Sequence, residues 1–572
     1  MITPKKIFTV LSQKERITLI GALIVCMVAG ILNGLFLFYA KTTVIPDYGG
    51  TFREGLIGQP VFINPVIPIN EIDRDISRLV FSSLADLSDS ITYTEEGRIW
   101  NVRLKEGLTW HDGEPLTSDD VIFTINTIQD PDSRSPLYAS FQGVAVERLS
   151  EREVQFVLQN SYAFFAKDHL RNLGIFSRHI FDGIPLQNFR ILVDGLHPIG
   201  SGPYMVTNHT IDENKRTITS LSLDVYNEYY GDAPYISSIV LKFYKNKDEL
   251  IAAYNNGDID GFGLSTAEAL TNELTIRHYT HFFKSPRYYA IFINQSLAPE
   301  ALQNIDVRKA LSESINRDRI IQEIFDSNAT PLYGPTTMNK DIVINYDVTL
   351  LQGLDLHITI PEEPFLEKTA NLIKEIWESH GAHVTLEITS LAEIQENVLK
   401  NNSYEMILFG NIVKESQDLF SFWHSSRRFY PDQNLALYQN ATVDNLLEKY
   451  RKSFDEEERK ICLKELGDII TADIPAIFLY SPDYIYIADP KVKGLDTAKP
   501  INIASDRFSD IGSWYIKTKR VFISPSDPTY QKTSNTEKLP DEYSDQIEQA
   551  IKTSNTVSST ANNNSELNKN QH

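Results

Sequence analysis

Residues 101–121 read NVRLKEGLTWHDGEPLTSDDV, and the order of side chains here predicts a strand, a turn and a helix. Residues 99–104 alternate apolar and polar side chains, as a strand with one buried face does. Asp112-Gly113 supplies turn chemistry, because Gly accepts positive φ and Asp bonds to nearby backbone. Thr117 is placed to cap a helix whose first turn holds Asp119 and Asp120, where carboxylates complement the helix dipole. Val121, Ile125 and Ile128 then share one helical face as its buried stripe. Asp112 and Asp120 therefore read as turn and cap groups rather than catalytic acids.

Outward from this unit, the chain has 572 residues, 42% of them hydrophobic, and a formal net charge of −22. Such a length supports a large core in more than one domain. The acidic balance argues against a nucleic-acid partner, since phosphate binding needs clustered Lys and Arg. Cys26 and Cys462 are the only cysteines. One lies in an apolar run and the other far along the chain, so packing rather than a disulfide is expected to hold the protein together.

Residues 17–40 carry no charged side chain. As a helix they would be roughly 36 Å long, enough to cross a bilayer core of about 30 Å. Lys5, Lys6, Lys14 and Arg16 precede the run, so the positive-inside rule keeps residues 1–16 cytoplasmic and exports the chain beyond residue 40. The run is longer than a signal-peptide core, and Phe38-Tyr39-Ala40 lacks a small residue at −3. An uncleaved single-pass anchor in the cell membrane is expected, with the globular part extracellular or periplasmic. From 51 to about 521, strand-like runs (239–244, 290–294, 384–388, 406–409, 476–480) alternate with helical ones (250–256, 307–325, 364–380, 442–454, 456–470), which predicts sheets covered by helices. From 524 to 572, Ser, Thr, Asn, Gln and Glu dominate, and a disordered tail is expected.

Residues 101–121 also resemble the signature L-(K/R)-x-G-(apolar)-x-(W/F)-x-D-G-x-P-(L/F)-T-(A/S)-x-D-V of the family 5 extracellular solute-binding proteins, the peptide and nickel receptors of ABC importers. The likeness continues through PIGSGPYMV at 198–206, NEYYGD at 227–232 with Pro234, a helix-and-turn ending NNGDID by 260, DVRKALSESINRDRI at 306–320, and 436–459. The resemblance implies an α/β, two-lobed fold of the type II periplasmic-binding-protein kind with mixed sheets. Lobe I would comprise residues 46–287, including the family's extra subdomain, with a return segment at 476–521. Lobe II would comprise 288–475, with hinge crossings near 288–294 and 475–480. Arg308 and Arg317 are expected to hold scaffold together.

In peptide-binding relatives, an A-D-Y-x-(D/E)-P motif after a strand supplies an Asp that takes the ligand's free α-amine. The corresponding stretch here, FGNIVKESQDLFSFWHS at 409–425, puts Val413 where that Asp belongs, and Glu415 or Asp418 are the candidates to replace it. The candidate ligand-binding residues are Asn411, Glu415, Asp418, Trp423 and His424, which follow the strand end that faces the cleft, with Tyr288 and Tyr289 at the first crossing, where cleft lining and hinge packing are the alternatives. No HExxH, GxSxG, Walker loop or CxxC occurs, so neither catalysis nor a cofactor is expected, and His380 and His383 flank a helix end rather than form a metal site. The resemblance implies a monomeric receptor that captures peptides between two lobes and delivers them to ABC permease and ATPase subunits. The alternative is a surface-anchored sensor or adhesive scaffold that keeps the fold without transport.

Overall fold

The computed structural model describes residues 12–192, 194–212, 214, 216–264, 274–336 and 347–522. They fall into two compact units, one from the described parts of Met1–Asp47 and Thr518–His572, the other Tyr48–Lys517. The smaller unit begins with α1 (Gln13–Lys41), which runs directly into β1 (Thr42–Asp47). Ser12 opens α1, donating its backbone N–H to the Glu15 carboxylate at 2.8 Å. Apart from the half-buried Leu19, the large apolar side chains from Ile17 to Leu37 are exposed among the described residues, while Phe38 and Tyr39 meet side chains of β19. Cys26 lies on it and Cys462 is buried elsewhere, both as free thiols.

The larger unit opens with β2 (Thr51–Ile57) and α2 (Glu71–Val80). A four-stranded antiparallel sheet comes next, from β3 (Ser88–Thr94), β4 (Ile99–Leu104), β5 (Ala145–Ser150) and β6 (Glu153–Val157) in the order β3-β4-β6-β5. Here β4 is the strand expected at 99–104, with Trp100, Val102 and Leu104 buried on one face. Gly113 has a φ of 87° in the turn, which a side chain would strain. The expected helix is α3 (Ser118–Gln129). The Thr117 hydroxyl accepts from the Asp119 N–H at 3.3 Å and the Thr117 N–H donates to the Asp120 carboxylate at 2.9 Å, while Val121, Ile125 and Ile128 are fully buried.

Strands β7 (Tyr204–Asp212), β8 (Thr217–Val225) and β9 (Ser238–Tyr244) lead through α4 (Lys247–Asn255) to β10 (Gly261–Leu264) and β11 (Tyr279–Phe283). Together with β2 they make six strands of a mixed seven-stranded sheet. The chain leaves it at residues 284–286. A six-stranded sheet then forms from β12 (Arg287–Ile293), β13 (Ala329–Pro331), β14 (Asp355–Pro361), β15 (His383–Thr389), β16 (Met406–Ile412) and β17 (Ala476–Pro482), in the order β13-β17-β12-β16-β14-β15. Helices α5 (Ile305–Ser314), α6 (Arg317–Phe325), α7 (Pro364–Ser379), α8 (Ala441–Lys452) and α9 (Glu456–Asp473) are interleaved with its strands. Finally β18 (Tyr484–Ala488) returns to the seven-stranded sheet between β11 and β10, and β19 (Lys517–Phe522) pairs with β1 in the smaller unit.

Two details differ from the sequence reading. By hydrogen bonding, β17 belongs to the six-stranded sheet, paired with β12 and β13, so the chain changes sheets at Asp483 rather than within 475–480. The single helix expected over 307–325 is two, because Asn316 caps a new one, its side chain accepting from the Arg319 N–H at 3.0 Å. Arg308 donates to the carbonyls of Leu302, Asp473 and Ile474, and Arg317 to those of Leu332 and Phe478. Both arginines thus tie helix ends and strands together. The tail expected at 524–572 lies outside the described residues.

Candidate ligand-binding site

A cavity of about 290 Å³ opens within the larger unit. One wall is the face of α2 that presents Arg74, Ser77 and Arg78 at i, i+3 and i+4, with Asn64 beside it. A second wall is the turn carrying Lys167, Asp168 and His169. The third is the end of β16 and the loop after it, through Ile412, Lys414 and Glu415, and Asn502 and Asp506 close the floor. A neighbouring cavity of about 190 Å³ shares Arg78, Glu415 and Asn502 and is lined also by Arg171, Phe283 and Trp514. Segments packed with the seven- and four-stranded sheets therefore face the C-terminal end of a strand from the six-stranded sheet across one space.

Of the candidate residues, Glu415 lines both cavities, held by Lys167 at 3.3 Å and Arg171 at 3.0 Å. Asp418 lies deeper, its side chain 7% exposed, paired with the Arg451 guanidinium at 3.1 Å and receiving the Tyr162 hydroxyl at 3.2 Å. Asn411 donates to the Tyr288 hydroxyl at 3.0 Å, and both are buried behind the strand end, with the Tyr288 ring against Phe422 and Phe478. Trp423 is 0% exposed and packs with Phe292, Tyr438 and Phe478 in the core. Neither Asn411, Asp418, Trp423 nor Tyr288 contributes to the lining of these two cavities. The reason is that β12 is covered on both faces, Tyr288 and Asn411 being opposite one another on β12 and β16, and that the helix Phe420–Trp423 buries Phe422 and Trp423. His424 stacks on Phe420, and Tyr289 packs against Phe365 and Tyr480.

Apart from Glu415, sequence reasoning did not single out the groups that line the space, because many of them come from α2 and from residues 167–169, hundreds of positions away from 409–425. Asp168 is the most unusual of them, at 6% exposure. One of its oxygens receives the hydroxyls of Tyr162 at 2.6 Å and Ser416 at 2.5 Å, while the other has no partner among the described residues. Burial pushes its pKa up, opposed by the charge of Lys414 and by those two hydrogen bonds. Burial, reinforced by the charges of Lys414 and Arg451, holds His169 well below its ordinary value, so it presents a neutral ring.

The model of the bacterial extracellular solute-binding proteins, family 5, middle region, matches residues 84–343. The oligopeptide-binding protein AppA of Bacillus subtilis is 22% identical over 492 residues, which cover 77% of this chain and 88% of that protein. Among solved structures, the ABC transporter substrate-binding protein CtaP of Listeria monocytogenes superposes with a TM-score of 0.68 at 24% identity, over 82% of this chain and 100% of the other. AppA of B. subtilis in complex with a nonapeptide gives 0.64 at 22% identity, over 83% and 100%. The chain thus has the fold of the family 5 extracellular solute-binding proteins, and the match to that family's model lies in residues 84–343.

Proposed function

We propose that this protein is a membrane-anchored receptor that captures a peptide between two lobes and hands it to the permease and ATPase of an ABC importer. The seven- and four-stranded sheets would form one lobe and the six-stranded sheet the other, with the two sheet changes at 284–286 and 483 as the hinge. The observation that carries the reading is the cavity itself, whose lining is drawn from both sheet systems, so that a ligand held there touches both. Contacts of that kind exist only in the shut form and shift the population towards it. Lys284 from the first crossing pairs with Asp483 in the second at 3.0 Å, which keeps the two connecting segments in register. Peptide binding by AppA and other relatives supports the choice of ligand class. The receptor acts as a monomer, needs no cofactor and transforms nothing.

The test is native mass spectrometry of the full chain purified gently from its membrane, combined with thermal-shift measurements on peptides of graded length. A co-purifying peptide, or a stabilisation that grows with peptide concentration, is the expected result. A chain that carries nothing and is stabilised by no peptide would sink the proposal.

A further inference from the structure

The outer end of α1 passes without a loop into the β1–β19 ribbon, and the charges gathered there are not balanced. Residues 41–47 and 518–522 carry three cations, Lys41, Lys519 and Arg520, and one carboxylate, Asp47, in a chain whose formal charge is −22. Asp47 takes the Lys519 ammonium at 3.0 Å, which leaves Lys41 and Arg520 without an ion pair among the described residues. Arg520 spends Nη1 on the Thr42 hydroxyl at 3.0 Å, and that hydroxyl donates in turn to the Phe38 carbonyl at 2.6 Å. One arm of the guanidinium thus closes the helix end. Its Nε and Nη2 edge, the fork that fits two oxygens of a phosphate, has no acceptor among the described residues. Exposed aromatic surface lies beside it: the Tyr39 ring under the guanidinium at 4.3 Å, and Phe522, 71% exposed, edge-on to Phe38. Arg520 and Phe522 are two apart on β19 and so share one face of that strand.

We propose that the ribbon is a lipid-binding surface, on which Arg520 and Lys41 hold the phosphate of an anionic phospholipid of the outer leaflet while Phe522 enters the interface beside Phe38 and Tyr39. The inference rests on the reading of α1 as a membrane span and adds what the ribbon does at its exit. Depth supports it. Residues 16 and 41 are roughly 38 Å apart along a helix, against about 30 Å of hydrocarbon and about 40–45 Å with the headgroups. With residue 16 in the inner headgroup layer, Lys41 and the guanidinium on Thr42 lie in the outer one, at the level of the phosphates. Aromatic rings collect at that level too, so the exposed rings beside the two cations fit a lipid rather than free phosphate. A zwitterionic headgroup would bring an ammonium as well, and the carboxylate of the ribbon is already held by Lys519. An anionic headgroup leaves no such charge over.

Hydrogen exchange of the full chain in nanodiscs tests this on the wild-type protein. Exchange over 42–47 and 518–522 should be about tenfold slower in discs of phosphatidylcholine with phosphatidylglycerol than in phosphatidylcholine alone, since an occupant that binds only the folded ribbon suppresses its opening. The difference should shrink as sodium chloride is raised, and inorganic phosphate added to the chain in detergent should not reproduce it. Lys41→Gln combined with Arg520→Gln should bring the two kinds of disc to one rate, while Arg520→Lys, which keeps the charge, should retain part of the difference. Equal wild-type rates in both discs overturn the proposal, as does a difference that survives high salt or the double substitution, or one that is lost in Arg520→Lys. Equal slowing by inorganic phosphate would mark an anion site without a lipid and overturn it too. In all these cases a chain that stays with the discs keeps its span. A chain that elutes apart from every disc would remove the span and the proposal together.

Discussion

At the scale of single residues, the motif that is easiest to read in the sequence is scaffold, and the reason is visible at His111. Its backbone N–H donates to the Gly200 carbonyl at 2.8 Å, its Nδ1 accepts from the Gly200 N–H at 3.2 Å, and its Nε2 lies 3.1 Å from the Gly202 carbonyl. Those partners fix a neutral ring protonated at Nε2. A Cβ at Gly200 or Gly202 would run into the Val80 carbonyl, so two of the family-like segments are locked against the end of α2. Burial pushes the His111 pKa down to about 4. Between the ordinary value of 6.5 and about 4, the unfolded chain therefore binds a proton that the folded one does not. Stability from His111 is complete above that window and falls as the pH drops through it. Acidification from pH 7 to 5 should cost about 2 kcal/mol more in wild type than in His111→Gln, whose amide can keep both bonds and cannot titrate. Urea melts at the two pH values check it. Arg507 offers a larger effect: fully buried, it pairs with Glu54 at 3.0 Å and Asp75 at 2.8 Å, and Tyr486 donates to Glu54 at 2.6 Å. Arg507→Met would strand two carboxylates in the core and should destabilise by about 3–5 kcal/mol, measured by denaturant unfolding. None of the residues in that cluster stood out in the sequence, since a buried ion group joined across 432 and 453 positions leaves no local pattern.

At the scale of elements, what the sequence announces is what local chemistry decides. Helix α3 begins where Thr117 and Asp120 cap each other, and strand β4 runs where apolar residues alternate. The expected strands at 239–244, 384–388 and 406–409 likewise fall inside β9, β15 and β16. Where local and tertiary demands compete, the sequence reading fails. The helical period runs through 314–316, yet Asn316 offers its side chain to the backbone, and Arg317 turns inward to reach the Leu332 and Phe478 carbonyls. Strand β17 shows the same limit in another form: its apolar residues predicted a strand, but nothing in them says which sheet it joins. The cap of α3 can be tested directly. Thr117→Ala removes the hydroxyl that accepts from Asp119 and leaves the backbone half of the capping box. It should lower stability by about 1 kcal/mol, with a smaller loss for Thr117→Ser, in chemical denaturation. Equal stability of all three chains would mean that the β4–α3 connection does not depend on its cap.

At the scale of the whole molecule, composition foretold two kinds of part, an acidic α/β body and an apolar N-terminal helix, and the contacts of each are of a different kind. The body is held by two large hydrophobic clusters and by sheets whose strands come from distant parts of the chain. Helix α1 has 29 residues, about 44 Å at 1.5 Å per residue, and bares most of its large apolar side chains among the described residues. In water that surface would drive aggregation; in a bilayer of about 30 Å it is matched, with a turn or two to spare for tilt. The far end of the helix is tied into folded structure within its own unit. Arg520 of β19 donates to the Thr42 hydroxyl at 3.0 Å and sits over the Tyr39 ring at 4.3 Å, and Phe522 meets Phe38 edge-on. Signal cleavage near residue 40 would strip Phe38 and Tyr39 from these partners and leave Arg520 and Phe522 bare, whereas an uncleaved anchor keeps the ribbon intact. The intact chain should therefore stay in the membrane pellet after alkaline carbonate washing, and its mass should include residues 1–40. Quantitative release of a soluble form starting beyond residue 40 would show instead that the helix is a transient export signal and that β1 and β19 pair without it.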